Sequence, residues 1–105
     1  MDVEEVPTYK FTILEAPPSH SGLPRRPQPR SGHRMVSFDE LIISVGGYST
    51  EHSENGMIKE IWIMNPHTES WRPFQTTGCI PENLASHAMV RIGYSIVLFG
   101  GADSQ

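Results

Sequence analysis

The chain has 105 residues, room for one small domain at most, and its apolar residues concentrate after Met35, so a core belongs to that part of the chain. The formal net charge of −4 argues against a nucleic-acid-binding surface, which shows a basic excess on one face. No segment approaches the roughly 18 consecutive apolar residues of a membrane helix. Residues 1–15 lack the apolar run of a signal peptide, and the single cysteine, Cys79, can form neither an internal disulfide nor a multi-cysteine zinc site. A reducing compartment, cytoplasm or nucleus, is expected.

In chain order, Tyr9 to Leu14 alternates apolar and polar residues and predicts a short strand. Pro17, Pro18, Pro24, Pro27 and Pro29 then remove backbone donors and fix φ, which predicts an extended linker within an N-terminal region 1–29. From Arg30 the pattern changes. His33 to Phe38 predicts a strand and Asp39-Glu40 a turn. Leu41 to Val45 reads as a second strand, apolar enough to be buried on both faces, stopped by Gly46-Gly47. Tyr48 to Gly56 is a polar loop, and Ile58 to Met64 a third strand. Asn65 to Glu69 has turn chemistry, and Trp71 to Phe74 is a fourth strand whose Pro73 places it at a sheet edge. Four short strands joined by turns predict an antiparallel meander.

The chain also echoes itself. His33, Met35 and Val36 recur as His87, Met89 and Val90, and Gly46-Gly47 recurs as Gly100-Gly101, all at one constant offset with no gap. Ile42-Ile43 falls on Ile96-Val97 at the same offset. A period of about 50 residues with four strands per unit is that of a propeller blade. Val45-Gly46-Gly47-Tyr48, then Ile61-Trp62, then Trp71, resembles the signature of the kelch-repeat β-propeller family. The resemblance implies an all-β fold of kelch-type four-stranded antiparallel blades, one whole over 30–74 and a half blade over 81–101. It also implies an incomplete ring of marginal stability within 30–105, with residues 9–14 available as a closing strand, and with Trp71 packed between blades.

Several motifs have simpler readings than chemistry. His20, His33, His52, His67 and His87 lack metal-ligand spacing, and the repeat accounts for His33 and His87. Cys79 has no legible base or oxyanion site beside it. Pro24-Arg25-Arg26-Pro27 matches a P-x-x-P docking motif but is also what a Pro-rich spacer contains. Arg25, Arg26, Arg30 and Arg34 carry no interleaved aromatic rings on which RNA bases could stack. The glycine pairs open no helix and so do not read as phosphate loops.

In a meander the start of the first strand and the end of the second lie at one end of the sheet. That end would gather Arg30, Ser31, Arg34, Tyr48, Ser49, Glu51, His52, Glu54 and Asn55 from the first blade, and Asn83 and Ser86 from the second. Of these, Arg30, Ser31, Arg34, Tyr48, Ser49, His52, Asn83 and Ser86 are the candidate partner-binding residues: arginines suit carboxylates and tyrosine offers an amphipathic surface. The expected function is a non-enzymatic protein- or peptide-binding module with no cofactor, no nucleic acid and no membrane. The resemblance further implies a substrate receptor of a cullin-RING ubiquitin ligase, engaging ligase components through parts outside these residues. The alternatives are a truncated piece without function of its own, and a copper-dependent propeller oxidase, for which Tyr48 and Tyr94 would need a converging ligand set.

Overall fold

The computed structural model describes residues 8–13, 26–51, 56–82 and 84–102. Among them every regular element is a strand: β1 (Arg34–Phe38), β2 (Leu41–Val45), β3 (Ile61–Asn65), β4 (Ser70–Pro73), β5 (His87–Ile92) and β6 (Ser95–Gly100). The first four form one antiparallel sheet in the order β1-β2-β3-β4, and the last two form a hairpin.

The echo in the sequence is an echo in backbone. Arg34 pairs with Val45 and Phe38 with Leu41 in the first sheet; at the repeated positions, Ala88 pairs with Phe99 and Ile92 with Ser95. The first turn residue has positive φ in both hairpins, +55° at Asp39 and +60° at Gly93, as two-residue turns between twisted strands require. The glycine pairs repeat as well, with φ of +72° and +116° at Gly46 and Gly47 and +79° and +111° at Gly100 and Gly101. Beyond the strands, the Tyr48 amide donates to the Ser31 carbonyl at 2.7 Å, and its counterpart Ala102 donates to Ala85 at 2.9 Å.

The two sheets approach each other through their first strands, β1 against β5. Cross-strand register places Val36, Phe38, Ile43, Val45, Ile61 and Ile63 on one face of the first sheet. That face receives the β5–β6 face bearing His87, Met89, Arg91, Ile96 and Leu98. Arg91 lies over the Phe38 ring, 3.8 Å from its centroid, and pairs with Asp39 at 3.1 Å. Away from β1 and β5 the sheets diverge. The connecting segment fills that wedge: Thr76, Thr77, Cys79, Ile80, Pro81 and Leu84 line, with Ile43, Val45, Ile61, Phe74, Ile96 and Leu98, a cavity of about 310 Å³. The core sits here and along β3, with Val45, Ile58, Ile63, Met64 and Leu84 buried. Each such aliphatic side chain contributes about 1.5–3 kcal/mol on burial.

Four expectations need adjustment. Residues 8–13 pair with no strand among the described residues, and Tyr9, Phe11 and Ile13 are exposed; Leu14 and the linker through Arg25 lie outside the described residues. The third strand begins at Ile61 rather than Ile58. Met57 instead bridges to Tyr48, and Ile58 donates to the Gly47 carbonyl, so this stretch crosses the end of β2 before joining the ladder. β2 is not buried throughout: Leu41, Ile42 and Ile43 are half-buried and only Ser44 and Val45 are enclosed, since the connecting segment covers the glycine end alone. β4 is the edge strand Pro73 requires, but Trp71 on it is only half-buried.

Leu84 meets the first sheet at the double glycine. Its carbonyl accepts from the Gly47 amide at 2.6 Å, and a Cβ added to Gly46 would fall on that carbonyl oxygen and lie 2.7 Å from the Leu84 Cβ. Gly93 also has positive φ but open space around it. Gly46→Ala should therefore destabilise by more than about 2 kcal/mol, combining strain with a clash against backbone, while Gly93→Ala should cost about 1 kcal/mol. Urea unfolding of the two variants checks the difference.

His87 is the other buried point of the junction. It is 1% exposed, and neither ring nitrogen has a hydrogen-bond partner. Burial, with the nearby Arg34 charge adding to it, pushes its pKa below the ordinary 6.5. Once unfolded, the ring titrates normally. Below about pH 6.5 the unfolded chain thus binds a proton that the folded chain refuses, and stability falls as pH drops from there toward the lowered folded value. The unfolding midpoint should be flat near neutrality and decline from about pH 6.5 downward, and His87→Leu should remove most of that decline. Thermal melts at a series of pH values measure both.

Candidate loop-face binding site

The end of the sheet carrying the double glycine is the candidate site. Tyr48 is pinned there by backbone bridges on both sides, to Ser31 and to Met57. Its ring lies on the backbone of Gly56, a buried residue with φ +76° where any Cβ would fall on the ring. The Ser49 amide donates to the Gly56 carbonyl at 2.9 Å, and the Glu51 amide donates to the Ser49 hydroxyl at 3.3 Å, tightening the loop from below. Across the junction the Ser86 amide donates to the Gly32 carbonyl at 2.7 Å, joining the two repeats at equivalent positions.

These contacts shape an open hollow of about 540 Å³ lined by Ser31, Gly32, Tyr48, Met57, Ala85, Ser86 and Ala102. Three of the residues expected from sequence, Ser31, Tyr48 and Ser86, therefore meet. Ser49 is half-buried beneath the loop. Arg34 is exposed but does not line the hollow, its guanidinium donating to the His33 carbonyl at 3.1 Å. His52, Glu54, Asn55 and Asn83 lie outside the described residues.

Arg30 departs from its expected role. Its side chain is buried, 3.4 Å from the Gly46 carbonyl oxygen to which it donates and 3.6 Å from the Glu60 carboxylate. Burial lowers its pKa and Glu60 works in the opposite direction; the group remains a cation, and its charge is answered inside the blade rather than offered to a partner. A guanidinium beside the double glycine ties the chain entering β1 to the carbonyl leaving β2, a structural function.

Sequence reasoning missed Met57, Ala85 and Ala102. The last two were within reach, since Ala85 and Ala102 are the repeat equivalents of Ser31 and Tyr48. Met57 lies between the predicted loop, which ends at Gly56, and the predicted third strand, which begins at Ile58, and nothing in its neighbourhood marks it. Among the described residues no three His, Cys, Asp or Glu side chains gather in a metal-binding group, and no helix is long and apolar enough to cross a membrane.

Comparison with known proteins agrees with this architecture. The family model of the kelch motif matches residues 29–76, the whole first sheet. Kelch domain-containing protein 10 of Xenopus tropicalis is 33% identical over 85 residues, covering 73% of this chain and 21% of that protein. Its Rattus norvegicus counterpart is 33% identical over 101 residues, covering 88% of the chain and 24% of that protein. Acyl-CoA-binding domain-containing protein 4 of Arabidopsis thaliana is 30% identical over 77 residues, covering 73% of the chain and 11% of that protein. The chain thus spans a quarter or less of the length of each of these relatives. With the kelch motif on the first sheet, and its double glycine and strand register repeated in the β5–β6 hairpin, the chain belongs to the kelch-repeat family.

Proposed function

We propose that the loop face is a binding surface for a protein or peptide partner, centred on Tyr48. The observation that carries this reading is the hollow shared by the two repeats, in which an exposed tyrosine and two exposed serines surround backbone held rigid by the Ser31–Tyr48 and Gly32–Ser86 hydrogen bonds. Tyrosine supplies contact area at low entropic cost, serine supplies adaptable hydrogen bonding, and both stand on a fixed frame. Kelch repeats generally serve as interaction modules, which supports a non-enzymatic role acting without a cofactor. Resemblance to the family supports the narrower reading of a substrate receptor for a cullin-RING ubiquitin ligase in the cytoplasm or nucleus, with ligase components engaged through other parts of a longer protein.

An array of peptides presenting defined internal and terminal sequences, probed with the chain, tests the surface. Enrichment of a peptide class is expected, with affinity reduced about tenfold or more by Tyr48→Ala, the loss typical of a central aromatic contact. Binding indifferent to Tyr48→Ala, or no enrichment, would contradict the assignment. For the ligase role, abundance of the bound partner in cells should rise when cullin activation is inhibited; an unchanged level would speak against it.

A further inference from the structure

His87 opens β5 at the point where the second repeat meets the first. The register of the hairpin turns it, with Met89 and Arg91, toward the first sheet. The residue is 1% exposed, and neither Nδ1 nor Nε2 has a hydrogen-bond partner. A neutral imidazole carries one N–H donor and one acceptor; a protonated one carries two donors and a charge.

Nothing packed against the ring answers that charge. On β1 the charged group that acts on it is Arg34, itself a cation, on the face turned to β5 because it pairs across the sheet with Val45. On β6 the residue opposite is Gly100. On β5 itself Arg91 is a second cation, paired with Asp39 at the far turn. Glu82 of the connecting segment is exposed and paired with Lys59, and Glu60 is engaged by Arg30 and by the Trp62 indole. A cation buried without a partner is costly, so the ring takes a proton only by reaching water.

The ring also lies on the boundary that separates most readily. Within the first sheet, continuous ladders join β1 to β4. The hairpin is fastened to that sheet at separate points: the Ser86 amide on the Gly32 carbonyl, the Gly47 amide on the Leu84 carbonyl, and Arg91 on Phe38 and Asp39. Ser86, the residue before the ring, carries the first of these.

We infer that protonation of His87 opens this junction, the β5–β6 hairpin lifting from β1 while the first sheet stays folded. Local opening of this kind needs less free energy than unfolding the whole chain. It parts the two halves of the loop-face hollow, since Ala85, Ser86 and Ala102 move away from Ser31, Gly32, Tyr48 and Met57. In the closed junction burial, with Arg34 adding to it, holds the ring below its ordinary 6.5; exposed to water, it titrates normally. The open form therefore binds a proton that the closed form refuses. Below about pH 6.5 its share rises about tenfold per pH unit, until the lowered value of the closed form is reached.

Amide hydrogen exchange of the complete chain, followed by nuclear magnetic resonance from about pH 7.5 to about pH 5 and scaled to the free-peptide rate at each pH, tests this. Protection of the Ser86 and Gly47 amides should fall about tenfold per pH unit below about pH 6.5. The Phe74 amide, which donates to the Ile61 carbonyl within the first sheet at 2.8 Å, should keep its protection. In His87→Gln and His87→Leu, neutral at every pH, protection of Ser86 should be flat. Should neither variant fold, the titration of the His87 ring in the parent chain decides, because loss of Ser86 protection must track it. Flat Ser86 protection in the parent chain would overturn the inference. So would an equal loss at Phe74, which means that the whole chain unfolds together, or an acid-driven loss that survives in either variant.

Discussion

The structure turns on a single crossing. The segment leaving β4 returns over the end of β2, and the carbonyl of Leu84 takes the amide of Gly47 at 2.6 Å. That approach is closer than a side chain on Gly46 would permit. Together with the Ser86 amide on the Gly32 carbonyl at 2.7 Å, it holds the β5–β6 hairpin at one angle to the first sheet. The Gly46-Gly47 pair is thus less a turn signal than a clearance: two residues without Cβ, both at positive φ, where the segment entering the second repeat touches backbone to backbone.

From that crossing the rest follows by geometry. The sheets meet at β1 and β5 and open away from them, the arrangement of blades set around an axis on the β1 side. The wedge between them takes the apolar connecting segment, with Leu84 as its anchor. At the crossing itself two repeats share one rim, and the hollow there is built half from Ser31 and Tyr48 and half from Ala85, Ser86 and Ala102. At that junction Arg30 faces inward, its buried cation holding the entering strand against Glu60 and the Gly46 carbonyl, while Tyr48 stays exposed.

Much of this was legible in the residues. The repeat, the strands β1, β2 and β4 to within a residue, the edge position of Pro73 and the meander order all follow from period, turn chemistry and the glycine pairs. The site was legible in part. Ser31, Tyr48 and Ser86 were placed by the rule that strand ends of a meander share one rim. The inward turn of Arg30 was not, because it depends on Glu60, far along the chain, and only folding brings the two together. The start of β3 was missed for a related reason: Ile58 has the alternation of a strand residue, but its amide is claimed by Gly47 before the ladder begins. The strand read at Tyr9 to Leu14 shows the opposite limit. Alternation states a preference, and a strand without a neighbour does not form.

The central claim is that the internal echo is two sheets of one register held face to face, with β5 on β1. Nuclear Overhauser spectroscopy of the chain reads this directly. The account predicts contacts between the Phe38 ring and the Arg91 side chain, and between Gly32 and Ser86, alongside the matched cross-strand contacts Met35–Ser44 and Met89–Leu98. Cross-strand contacts within each sheet but none between Phe38 and Arg91 or between Gly32 and Ser86 would contradict it, leaving two independent hairpin systems instead of adjoining blades.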